Sequence, residues 1–132
     1  MKIEIDFEGK KGVNANAKGF LIKTDQPVSA GGEGSAPEPF TLFMASIGTC
    51  AGIYVKSFCD QRGIPSDKIK LIQRSSYSRE KGLVDKIDIS IILPPEFPEK
   101  YKEAVIKAAN LCAVKKHLAD PPEIKVITNI GE

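Results

Sequence analysis

Cys50 and Cys112 stand far apart along the chain, each among small and apolar residues in a stretch that reads as helical. The chain opens on a strand-like segment and not on a secretion signal, so such thiols are not expected to form a structural staple. One thiol that attacks and a second that resolves is the chemistry the pair supports. A nucleophilic cysteine needs a lowered pKa. Cys50 lies about three turns inside its predicted helix, beyond a dipole effect that fades within the first turn. A cation or hydrogen-bond donor from another segment therefore has to reach its sulfur. Buried cysteines also serve as small core hydrophobes, and that reading stands beside the catalytic one.

Lys115 and Lys116 follow Cys112 at i+3 and i+4, on its own side of one helix, where they either lower its pKa or form a solvated basic helix end. Cys59 comes about 900° of helical rotation after Cys50, on the opposite face, and is not expected to serve the same site. Zinc would need paired ligands, yet no C-x2-C or H-x3-H pair exists, and His117 is about 140° from Cys112 around a helix. His117 is expected to cap or decorate the helix end. The glycine-rich stretch GGEGS at 31–35 lacks both the Lys-Ser/Thr ending of a P-loop and the dinucleotide spacing, so it reads as a flexible loop. Glu33 and Glu38 are exposed loop charges or carboxylates that orient a base or cation near Cys50.

The elements that must position these residues can be traced along the chain. Ile3, Ile5 and Phe7 alternate with polar residues as a strand, a turn follows at 8–12, and further strands at 13–17 and 20–24 complete an antiparallel meander. The stretch 25–39, broken by several Gly and Pro residues, is a long loop of the functional kind. Pro39 opens a helix predicted over 39–62, stopped by Gly63 and Pro65. Its first four turns are apolar nearly all round, which predicts a central helix covered on every side, and the small residues around Cys50 suit a close helix crossing between subunits. Strands at 67–78 and 83–93 form a hairpin about 80–82. A second helix is predicted from 98 to about 118, and a β-branched run at 124–128 closes the chain as a last strand.

The chain has 132 residues and a net charge of +2 from 19 basic and 17 acidic side chains, without a charge run. That length fits a single domain, 1–132, burying roughly 70% of its unfolded surface. The charge balance gives no reason to expect nucleic acid or membrane as a partner. The uncharged run 40–55 is shorter than the ~20 residues of a membrane span and reads as a core helix. Three cysteines without framework spacing fit a reducing compartment, and a cytoplasmic location is expected.

The segment GGEGSAPEPFTLFMASIGTCAG, followed by a hairpin, a second helix carrying NLCAVKKHL and a final strand, resembles the OsmC/Ohr family over essentially the whole chain. The resemblance implies an α+β fold with antiparallel sheets packed around two long helices, the first central, in an intertwined homodimer. It also implies thiol peroxidase chemistry. Cys50 attacks an organic hydroperoxide and becomes a sulfenic acid, Cys112 condenses with it to an intrachain disulfide, and a small dithiol or lipoylated protein restores both thiols. No metal or prosthetic group is implied. Peroxidase members carry a Glu directly after the helix-opening Pro or one residue later, paired to an Arg from the N-terminal strands. Here those positions are Phe40 and Thr41, and the strands offer Lys10, Lys11, Lys18 and Lys23. Glu38, Glu33 and Lys18 are thus the residues left to support Cys50. A second reading of the same resemblance is a non-peroxidase protein that binds a small hydrophobic or thiol-reactive ligand at the dimer interface, or a redox sensor. A third is an interaction domain without chemistry.

Overall fold

The computed structural model describes residues 1–131, in two compact units, Met1–Ser46 and Ile47–Glu132. The first unit opens with an antiparallel sheet of order β1-β2-β3, comprising β1 (Ile3–Glu8), β2 (Gly12–Ala17) and β3 (Phe20–Thr24). Lys18 and Gly19 form the two-residue link between β2 and β3 at φ +51° and +84°, the left-handed pair that matches strand twist in a tight hairpin. The register pairs Ile5 with Ala15 and Ala15 with Ile22, so the apolar residues share one face. On the other face Asn14 donates to Glu8 at 2.8 Å and Asn16 to Asp6 at 3.1 Å.

The predicted long loop is irregular but not loose. The buried Asp25 carboxylate accepts from the N–H groups of Gln26, Glu33 and Ser35 at 2.7, 3.2 and 3.0 Å and from the Ser35 hydroxyl at 2.7 Å. The Ser35 bonds foremost hold its pKa down to about 2. Gly32 is where the loop closes on itself: a Cβ there would stand 2.0 Å from the Gln26 carbonyl oxygen. The loop is thus a folded turn built on one carboxylate, where flexibility was expected.

Helix α1 (Pro39–Gln61) begins in the first unit and continues through the second. It ends as predicted, with Gly63 at φ +64° and the Ile64 N–H returning to the Cys59 carbonyl at 2.9 Å. It is not covered on every side. Ile47, Ala51, Val55, Phe58 and Cys59 are buried along one stripe, while Phe40, Phe43 and Ile53 are exposed. A single chain supplies cover for one stripe only.

In the second unit β4 (Lys70–Ser78) and β5 (Leu83–Ile92) form the predicted hairpin, with a bulge between Ser76 and Tyr77. β5 alternates as read, Ile87, Ile89 and Ile91 being half-buried between exposed Asp88 and Ser90. Val55, Phe58, Cys59, Phe97 and Val105 form the core, flanked by Ile69, Leu71 and Ile91. Two expectations fail here. The helix predicted from 98 to 118 is broken: a single 3-10 turn at Glu99–Tyr101 leads into α2 (Lys102–Ala109), and a separate α3 (Ala113–Ala119) follows. The chain turns at 110–112, where Asn110 serves as C-cap of α2 and Cys112 as N-cap of α3 with extended backbone, φ −47° and ψ 126°. The β-branched run at 124–128 forms no strand. β-propensity needs a neighbouring strand to bond, and within one chain none pairs with it.

Candidate active site

Cys50, on α1, is half-buried, and Cys112, ahead of α3, is buried with 1% of its surface exposed. Both lie in the second unit, and the fold brings their side chains into hydrogen-bonding contact. The break between α2 and α3 makes this possible. Because α3 starts immediately after Cys112, its first backbone N–H groups are directed at the two sulfurs. The Val114 N–H acts most strongly on Cys50, then the Cys112 thiol, with the Ala113 N–H also contributing. Together they outweigh desolvation and lower the Cys50 pKa below the ordinary thiol value. The donor from another segment that Cys50 required is therefore backbone amide, not a side-chain cation.

Cys112 has the opposite character. Burial first, and then its hydrogen bond to Cys50, push its pKa up, although the Lys115 N–H reaches its Sγ at 3.4 Å. Of the two readings of Lys115 and Lys116, the lowering of the Cys112 pKa by their charges does not occur, and both side chains are exposed, as in a solvated basic helix end. Those lysines belong to a helix that begins after Cys112, and the Lys115 Nζ donates instead to Asn110 Oδ1 at 2.5 Å. The pair thus sets a thiol whose ionisation is favoured beside one whose ionisation is disfavoured. A nucleophile and a proton-bearing partner within bonding reach are the two parts of a dithiol redox couple.

A cavity of about 550 Å³ adjoins Cys112, walled by Ile47, Ile89, Ile91, Val105 and Ile106, with Lys102 and Lys115 on its lining. It is mainly apolar and lies within the second unit, of a size for a small organic molecule. Cys59 is fully buried in the core and its pKa is raised by desolvation, in keeping with its expected exclusion from the site. His117 is exposed and its Nδ1 lies 2.6 Å from the Ala113 carbonyl oxygen, a helix-end contact as expected. Among the described residues no group of three or more His, Cys, Asp or Glu side chains is placed to hold a metal ion.

The other residues read from the sequence lie in the first unit. Lys18 occupies the β2–β3 turn, Glu33 gives its backbone N–H to Asp25, and the Glu38 carbonyl accepts from the Leu42 N–H at 3.2 Å. Sequence reasoning missed Ala113 and Val114, whose contribution is main-chain. The one signal was Asn110, a residue that favours helix ends.

No curated protein sequence matches the chain significantly. Solved structures do share its fold. A Psychrobacter arcticus protein assigned to the osmotic stress induced and detoxification response is 20% identical, with a TM-score of 0.73 over 88% of this chain and 86% of that one. An OsmC-like protein from Mycoplasma pneumoniae is 16% identical, with a TM-score of 0.69 over 91% and 87%. The organic hydroperoxide resistance protein OhrB of Bacillus subtilis is 16% identical, with a TM-score of 0.54 over 92% and 93%. The family model described as OsmC-like protein matches residues 32–127, a span that includes both Cys50 and Cys112, and the chain belongs to the OsmC-like family.

Proposed function

We propose that this protein is a thiol-dependent peroxidase that reduces organic hydroperoxides to alcohols, with Cys50 peroxidatic and Cys112 resolving. The observation that carries this reading is the asymmetry of the two touching sulfurs, one thiol held toward the thiolate and the other held protonated. The Cys50 thiolate attacks the terminal peroxide oxygen, the O–O bond breaks, and the alkoxide leaves as alcohol after taking a proton. Cys50 becomes a sulfenic acid. Cys112 then attacks that sulfur, the S–S bond forms, and the hydroxyl leaves as water. Overall one hydroperoxide and two thiols give one alcohol, one water and one disulfide. The apolar cavity beside Cys112 suits a bulky organic peroxide over hydrogen peroxide, and the neighbouring thiol captures the sulfenic acid before further oxidation.

A small dithiol or a lipoylated protein, acting in the cytoplasm, returns the disulfide to two thiols. The working unit is a homodimer. What supports this is exposed apolar surface that a single chain leaves open, including Phe7 and Phe20 of the sheet and Ile124, Val126 and Ile130 after α3.

The test is a thiol count after one equivalent of cumene hydroperoxide. Two of the three thiols are lost, a Cys50–Cys112 disulfide is found by peptide mapping, and one equivalent of alcohol appears. Cys50→Ser reduces peroxide consumption to background, and Cys112→Ser leaves a sulfenic acid on Cys50 that dimedone traps. An unchanged thiol count in the parent protein ends the peroxidase reading.

A further inference from the structure

Helix α3 is seven residues long and contributes no buried residue, so neither length nor a core-facing stripe holds it. Its first turn is held chiefly at its N-terminus, and the acceptors there are almost all cysteine atoms. The N–H groups of Ala113 and Val114 are directed at the Cys50 sulfur. The Lys115 N–H bonds Cys112 Sγ at 3.4 Å, and the Lys116 N–H bonds the Cys112 carbonyl at 3.1 Å. The orphan donors that every helix start must satisfy are thus met by the two sulfurs proposed to react. A thiolate is a charged acceptor, whereas both sulfurs of a disulfide are neutral and accept weakly.

We propose that α3 is a redox-responsive element, capped by Cys50 and Cys112 as dithiol and loosened when the two sulfurs join. The inference rests on the pair cycling through a disulfide, as proposed above. On oxidation the dithiol gives up two electrons and two protons, one of them already lost where Cys50 is ionised, the S–S bond forms, and the first N–H groups of α3, among them the Lys115 N–H on Cys112 Sγ, are left with the weakly accepting sulfurs of a disulfide. The exposed Lys115, Lys116 and His117 then sit on a frayed segment. Reduction restores the cap. The state of the thiol pair is in this way written into the order of a surface helix.

Amide hydrogen exchange on the full chain, followed by mass spectrometry, tests this. Diamide, a diazene that accepts two electrons and two protons, serves as oxidant, and peptide mapping records whether the Cys50–Cys112 disulfide has formed. Peptides from β4 and β5 serve as the internal reference for an intact fold. Once the disulfide forms, exchange over 113–116 accelerates roughly fivefold, in line with loss of a helix cap, while the reference peptides do not change. Reduced Cys50→Ala shows the same acceleration without any disulfide. Equal or slower exchange over 113–116 in the confirmed disulfide form overturns the proposal, as does unchanged protection in reduced Cys50→Ala. Failure of diamide to form the disulfide counts against the dithiol reading of the pair, and Cys50→Ala then decides on the cap alone.

Discussion

At the scale of single residues the pair is defined by opposite displacements of two chemically identical groups. The main-chain N–H groups after Cys112 favour the Cys50 thiolate, and burial disfavours that of Cys112. Alkylation by iodoacetamide followed against pH will therefore modify Cys50 at lower pH than Cys112; the reverse order, read from labelled peptides, contradicts this picture. Asp25 offers a second test. Its folded pKa is depressed to about 2, so its contribution to stability is present above the unfolded value, near 3.8, and is lost as pH falls through about 2. Asp25→Asn will lower the melting temperature at neutral pH, and the gap to the parent will close in acid. Both cysteines were legible from residue type and surroundings, as was the need for a donor from elsewhere. The donor's identity was not, because every residue but proline carries an N–H and composition cannot say which ones are left without a helical partner.

At the scale of elements, one break governs the site. Read as a continuous helix, the stretch from 98 to 118 would put Lys115 and Lys116 beside Cys112 and leave no free N–H groups near it. The chain turn at 110–112 does the opposite. Apolar residues at three- and four-residue steps persist across this turn, which is why periodicity joined α2 to α3. The strands, hairpins and both ends of α1 were legible because glycine and proline mark them locally. Ala113→Pro tests the role of the α3 start. Proline suits the first position of a helix, and Cys112 already has the extended backbone a following proline requires, so α3 is retained while one N–H toward Cys50 is deleted. Cys50 alkylation at neutral pH slows, with helix content by circular dichroism unchanged. In the first unit, Gly32→Ala forces a methyl group against the Gln26 carbonyl and costs roughly 1–3 kcal/mol of stability by denaturant titration.

For the whole molecule, the decisive quantity is the apolar surface one chain leaves uncovered. Phe7 and Phe20 are 83% and 72% exposed, and Ile124 and Val126 are 85% and 89% exposed. Alternation placed Phe7 on the apolar face of a strand, and β-branched composition placed Ile124 and Val126 in one, but neither signal carries information on whether the covering surface comes from the same chain or from another. The β-branched run after α3 illustrates the point: its composition asks for a strand, and its own chain offers no ladder. In the proposed homodimer Phe7→Asp shifts the protein toward monomer in light scattering, and a parent protein that is monomeric at micromolar concentration removes the dimer.

Cys59 sits at 0% exposure within the core, away from the reacting pair. A thiol so placed is sheltered from reagent until the core itself opens, so its labelling rate under native conditions reports the frequency of global opening. The chain thereby carries an intrinsic gauge of its own unfolding, readable in the same mass spectrum that scores the state of the other two cysteines.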